Sequence, residues 1–185
     1  MGLRGELVEV TSLNESDKAE MFHLMEQFYD NTNLRVFLRD LNEKDYCILL
    51  FDEHNLIRGF STQMVLSVIV ENESVYGVFS GDTIIHKSHW GSLDLFRVFA
   101  QSFIPLGKRY TKFYWFLTSK GYKTYRMLPV FFEKFYPNYQ EGIPEYEQAI
   151  IHAFGRKKYP EEYNETSGVI VYQGKKDKLK AGVAD

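Results

Sequence analysis

The sequence predicts a mixed α/β (α+β) fold with a central, mostly antiparallel sheet of six or seven strands and flanking helices. Three apolar segments, 46–51, 57–70 and 75–85, follow one another across short polar turns at 52–55 and 71–74, the pattern of an antiparallel meander. Segments with helical periodicity precede and follow that meander. A further apolar stretch, Phe113-Tyr114-Trp115-Phe116-Leu117, comes after a helix, so it is expected to lie parallel to 75–85 as its sheet neighbour, buried on both faces.

In chain order, Leu7 to Thr11 alternates weakly and reads as a first strand. Ser12 and Glu15 have capping-box spacing ahead of a helix reaching Tyr29, with Met21, Leu24, Met25 and Phe28 on one face. Asp30-Asn31-Thr32-Asn33 breaks it. Residues 33–42 predict a shorter helix carrying Leu34, Phe37, Leu38 and Leu41. After the meander, Ser92 is the expected N-cap of a helix over 92–104, with Asp94 in its positive first turn. Beyond 113–117 a helix is expected from about Tyr122 to Tyr136, kinked or delayed by Pro129. Another helix follows from Pro144 to about Lys158, then a late strand at 168–172. Residues 1–173 read as one domain and 174–185 as a flexible tail.

Composition narrows the function classes. The chain has 185 residues, enough for one substantial core, and its net charge of -3 argues against non-specific nucleic-acid binding. Its single cysteine, Cys47, sits in an apolar strand and reads as a core residue, with no internal disulfide and no metal cluster. No apolar run approaches the roughly 20 residues that span a bilayer, and no secretory signal opens the chain, so a cytoplasmic protein with no membrane partner is expected.

The chemistry concentrates in 80–92. A strand that turns through a glycine into a helix aims backbone N–H groups at one point, which suits an anion such as phosphate. His86 and His89, at the strand's end, could each take a proton from an ammonium substrate, or could be surface or capping histidines. Asp82 shares a strand face with Ile84 and His86, making Asp82 and His86 a candidate pair; Asp82 in a bulge after Gly81 is the other reading. Tyr122 and Tyr125 could donate a proton, and Ser119 and Lys120 leave the 113–117 strand beside the same place. A pocket is expected between the two strands near His86, His89, Trp115 and Ser119.

The order strand, helix, helix, three antiparallel strands, helix, strand, helix resembles the GNAT superfamily of N-acetyltransferases. The resemblance is strongest over 57–139: Thr83-Ile84-Ile85-His86-Lys87-Ser88-His89-Trp90-Gly91 is similar to the family's fourth strand and pyrophosphate loop, and Phe131-Phe132-Glu133-Lys134-Phe135-Tyr136 to its late-helix pattern. It implies an acyltransferase moving an acyl group from acyl-CoA to a small-molecule amine. The donor would lie along Ile84 and Ile85, at Trp90, Gly91, Ser92 and Leu93, and near Ser119 and Lys120; Asp82, His86, His89 and Tyr122 would carry the catalysis, without metal.

The loop departs from the family pattern of Arg or Gln, two residues, Gly, one residue, Gly or Ala. Trp90, Leu93 and Leu95 stand at the signature positions, Asp94 adds negative charge, and Phe132 stands where the late-helix tyrosine is expected. Weak binding of free CoA is therefore expected, with a phosphopantetheine thioester on an acyl-carrier protein as the other donor. Two alternatives stay open: a non-catalytic ligand- or partner-binding module, and altered thioester chemistry such as hydrolysis or decarboxylation. A homodimer also stays open.

Overall fold

A computed structural model describes residues 2–119, 125–172 and 177–183. Five strands form the central sheet in the order β1-β3-β4-β5-β6: β1 (Arg4–Glu9), β3 (Tyr46–Phe51), β4 (Ile57–Val70), β5 (Glu73–Ile85) and β6 (Phe113–Leu117). The first three pairings are antiparallel and β5–β6 is parallel, as the intervening helix requires. Among the described residues the sheet thus has five strands rather than the six or seven expected. The expected late strand contributes only β8 (Val169–Ile170), paired with β7 (Tyr163–Asn164), and β2 (Tyr29–Asp30) pairs with β9 (Lys178–Leu179); both are two-residue ladders apart from the main sheet. The β2–β9 ladder places part of the expected tail against the end of the first helix.

Helix α1 (Glu15–Phe28) starts two residues later than the Ser12 capping box would place it. Asn14 and Asp17 form the box instead, each side chain bonded to the other's backbone N–H. Ser12 donates to the Glu9 carbonyl in a 3-10 turn. Helix α2 (Leu34–Asn42) is capped by Asn33, and α3 (Asp94–Gly107) connects β5 to β6. Of the expected 122–136 helix, residues 122–124 lie outside the described residues, Tyr125 is helical, and after a turn a separate short helix α4 (Leu128–Phe131) follows, with Pro129 in its first turn and Phe132 back in extended geometry. Helix α5 (Glu145–Lys158) follows Pro144 as expected.

The sheet separates two layers. Cys47, Leu49, Phe60 and Ile84 pack against α1 and α2, and Leu66, Val70, Val75 and Phe79 continue that face beneath α5. Ile48, Leu50 and Val78 face α3 with Val98, Phe99 and Phe103. Strand β6 is only half-buried along its length rather than enclosed on both faces, because no strand pairs with its outer edge among the described residues.

Candidate functional site

Strands β5 and β6 run together from Tyr76–Phe113 to Ser80–Leu117 and no further rung joins them. Strand β5 continues to Ile85 paired with β4 alone. Two parallel strands that part in this way leave a wedge beside residues 81–85. At its apex the β4–β5 register slips: Ser61 faces Thr83 and Gln63 faces Ser80, so Gly81 and Asp82 together oppose Thr62. This is a β-bulge, the second of the two readings for Asp82. It reverses the alternation, and Val78 faces α3 while Ile84 faces α1 and α2. A glycine is required at its first position. A Cβ on Gly81 would stand 2.5 Å from Thr62 Oγ1 and 3.1 Å from Lys44 Cε.

Asp82 bears on Tyr29, a residue sequence reasoning did not single out. The Tyr29 hydroxyl is pushed up to about 12, first by burial, then by the charges of Asp82 and Asp177. Its position follows from the β2–β9 ladder, whose two-residue rungs leave no periodic signal in the sequence.

His86 leaves β5 with its backbone N–H bonded to the Arg58 carbonyl. Its Nδ1 accepts from Ser88 N and lies 2.7 Å from Ser88 Oγ, so it caps the 3-10 turn Lys87–His89. Burial, then Arg58 and His89, hold its pKa below the usual histidine value, leaving it neutral at pH 7. His86 and His89, with ring centroids 6.4 Å apart, line a pocket of about 580 Å³ with Arg4, Asp52 and Arg58. That pocket sits against the β3–β4 turn and the start of β1. It does not include Ser119 or Trp115, because the His86–Arg58 backbone bond draws the loop toward β4. Trp115 is occupied elsewhere, its Nε1 donating to Ser80 Oγ at 2.8 Å.

The loop between β5 and α3 is bonded to itself. The N–H groups of His89, Trp90 and Ser92 donate to the carbonyls of His86, Lys87 and His89, and Ser88 N–H to the His86 ring. Asp94 N–H donates to Ser92 Oγ. Leu93, not Ser92, is the N-cap residue of α3. The anion at this helix end is the protein's own: Asp94 Oδ2 accepts from the buried Leu3 N–H at 2.8 Å and from Ser92 Oγ at 2.6 Å, and Oδ1 pairs with Arg97 at 2.5 Å. These contacts, the Ser92 and Leu3 bonds foremost, hold its carboxyl below the usual aspartate range. Gly91 takes a left-handed conformation with φ of 85°. Trp90 donates from its indole to the Ile85 carbonyl at 2.8 Å, lies 6.0 Å from the Phe28 ring and remains half-exposed, as Leu93 is exposed. Ile84 is buried in the α1–α2 core, so it offers the wedge backbone rather than side chain. Lys120 and Tyr122 lie outside the described residues.

Cys47 is fully buried, and burial pushes its thiol up to about 12, which keeps it protonated. Among the described residues no group of three or more His, Cys, Asp or Glu is placed to hold a metal ion, and no helix is long and apolar enough to cross a membrane.

No protein-family profile and no curated protein sequence matches the chain. Solved structures do. The tetramutant of the BH1408 protein from Bacillus halodurans superposes with a TM-score of 0.54 at 15% identity, covering 76% of this chain and 99% of its own. An aminoglycoside 6'-N-acetyltransferase from Acinetobacter haemolyticus gives 0.52 at 10% identity, covering 75% and 99%. The aminoglycoside acetyltransferase AAC(6')-Iy, solved with a CoA-based bisubstrate analogue, gives 0.53 at 13% identity, covering 73% and 98%. The fold of this chain is GNAT-like.

Proposed function

We propose that this protein is a GNAT-type acyltransferase that accepts its acyl group from a pantetheine thioester and passes it to a small-molecule amine. The observation that carries the reading is the wedge where β5 and β6 part, with the Gly81–Asp82 bulge at its apex. Solved structures of the same fold include acetyltransferases, one of them holding a CoA-based analogue, which supports the chemical class.

The loop counts against the nucleotide half of CoA. Five loop N–H groups are already bonded within the loop and Asp94 places a carboxylate at the helix end that would face a pyrophosphate. The donor we favour is therefore a thioester on the phosphopantetheine arm of an acyl-carrier protein, which brings its own recognition surface. Within the wedge, the attacking amine must lose a proton and the departing sulfur must gain one. Asp82, in the bulge beside the wedge, is the base offered there; the neutral His86 and His89 line the separate pocket on the β4 side and would serve only an amine held in that pocket. Tyr29, protonated at neutral pH, is the acid offered.

Calorimetry with acetyl-CoA, a longer acyl-CoA and an acyl-carrier protein tests this. An ordinary CoA enzyme binds free acetyl-CoA at micromolar levels, about 8 kcal/mol. We expect binding at least tenfold weaker than that for both free thioesters and clear binding of the loaded carrier. Micromolar acetyl-CoA binding would restore an ordinary acetyltransferase. A second reading, a non-catalytic module, is favoured by the self-bonded loop; absence of binding to all three would select it. Release of free acid from the thioester without an amine would select altered thioester chemistry instead.

A further inference from the structure

Ser61, Gln63 and Ser80 are buried polar side chains in the middle of the sheet. A buried hydroxyl or amide left without a partner costs about 1–3 kcal/mol. These are partnered in single file on the α3 face. Trp115 Nε1 donates to Ser80 Oγ at 2.8 Å, Ser80 Oγ to Gln63 Oε1 at 2.8 Å, and Gln63 Nε2 to Ser61 Oγ at 2.8 Å. Ser61 Oγ lies 2.7 Å from Thr83 Oγ1, which donates to the Gly81 carbonyl at 3.3 Å.

The direction of this file follows from one residue. An indole N–H can only donate. Ser80 therefore accepts from Trp115 and has its one proton for Gln63 Oε1. That orients the Gln63 amide, whose Nε2 must donate to Ser61. Ser61 is left with its proton for Thr83, and Thr83 with its proton for Gly81. The file starts on β6 just before the strands part and ends inside the bulge of β5. Gln63, on β4, is its only member with both a donor and an acceptor on separate atoms, so it alone joins the two ends without a hydroxyl's ambiguity.

We infer that Gln63 is a positioning residue that ties the point where β5 and β6 separate to the bulge that presents Asp82. The inference bears on ligand binding only through the acyltransferase reading, but its structural content stands apart from that reading.

Hydrogen exchange by NMR tests it in the full chain. In Gln63→Leu the Trp115 indole N–H and the Asp82 and Thr83 amides are expected to exchange roughly tenfold faster, with Val75 to Val78 unchanged. Ser80→Ala, which removes the link without enlarging a side chain, is expected to free the Trp115 indole in the same way. Gln63→Glu adds a readout that ordinary core damage would not move. While neutral, the introduced carboxyl can still donate to Ser61; once ionised, it accepts from both serines. Thr83 then turns to Ser61 and the Gly81 carbonyl loses its donor. Burial raises the pKa of the introduced carboxyl, so the folded state holds its proton above the unfolded value and the variant loses stability as pH rises between the two. Exchange at Asp82 and Thr83, corrected for its intrinsic pH dependence, is expected to accelerate over the same range. Titration with acetyl-pantetheine should show roughly tenfold weaker binding in Gln63→Leu than in the wild type. If the wild type binds neither this probe nor the loaded acyl-carrier protein, the acyltransferase reading fails while the exchange data still decide the tie. Unchanged exchange at Trp115, Asp82 and Thr83 overturns the inference, as does uniform loss of protection across the whole sheet.

Discussion

Strand β5 meets two boundaries near its C-terminal end, and the chain treats them in opposite ways. On the β6 side the strands part after Ser80–Leu117, and polar groups behind the gap are tied in file so that the gap has a defined apex. On the α3 side, three loop N–H groups bond to loop carbonyls, two more to loop side chains, and the helix end is answered by Asp94. The first boundary is left unpaired and the second is bonded to itself. An anion-binding helix end is defined by available N–H groups and positive potential; here five of the N–H groups are bonded within the loop and Asp94 answers part of the potential. The difference teaches that one strand can border an unpaired gap on one side while on the other a self-bonded loop joins α3 to the N-terminal strand.

The largest effect is expected at the open boundary. Gly81→Val places a branched side chain where a Cβ already stands 2.5 Å from Thr62 Oγ1, on a buried strand. Overpacking of this kind destabilises by about 3 kcal/mol. Urea unfolding should show that loss, and any thioester binding should disappear with it. A variant of wild-type stability would mean that the bulge is not held tightly and the wedge has no fixed apex.

The closed boundary should respond less, and with a pH signature. Asp94→Ala removes the partner of the buried Leu3 N–H along with the Ser92 and Arg97 contacts, for a loss of about 2 kcal/mol. Because the folded carboxyl titrates below its unfolded value of about 3.9, its contribution is present above that value and lost as pH falls through the folded pKa. Wild type and Asp94→Ala should therefore differ at pH 7 and converge in strong acid. The same variant sharpens the comparison. If Asp94 is what closes the helix end to anions, Asp94→Ala should bind pyrophosphate or free CoA better than the wild type. Unchanged CoA binding would place the whole obstruction in the loop's internal N–H bonds.

How much of this was legible in the sequence depended on whether a regular period or a singular contact decided the structure. Helices 15–28, 34–42 and 145–158 and strands 46–51, 57–70 and 113–117 follow from periodicity, and their bounds fall close to those read from the residues. The caps did not follow, because Ser12/Glu15 and Asn14/Asp17 both satisfy the spacing; burial of Leu13 accompanies the later start. The end of the late helix was misread from its phenylalanines. Phe131 stacks on Phe96 with centroids 4.1 Å apart, while Phe132, already extended, meets the same ring edge-on and lies tilted against Trp115 at 5.4 Å. The bulge was one of two readings because Gly81 marked it. The polar file was overlooked although its signal was printed in the chain: Ser61, Gln63 and Ser80 interrupt otherwise apolar strands, all on the α3 side once the bulge is counted. The role of Tyr29 could not be read, since it depends on pairing with a segment about 150 residues away in sequence.

The smallest effect is expected where the two boundaries touch. Trp90 belongs to the closed loop, yet its indole donates to the carbonyl of Ile85, the last residue of the strand that borders the wedge. Its ring is half-exposed and leans on Phe28 at the end of α1, so little apolar burial depends on it. Trp90→Phe keeps the ring and removes the donor. The loss should be about 1 kcal/mol, the net worth of one hydrogen bond near solvent. The informative quantity is where the change is felt. If the indole holds the loop onto β5, the His86 and Ile85 amides should exchange faster while the Trp115 indole, on the other boundary, is unaffected. Trp115 is then the chain's remaining tryptophan, and its emission becomes a clean report on the wedge during thioester titration. Faster exchange at Trp115 in this variant would show that the two boundaries are mechanically coupled, and the contrast between an open wedge and an independently closed loop would no longer hold.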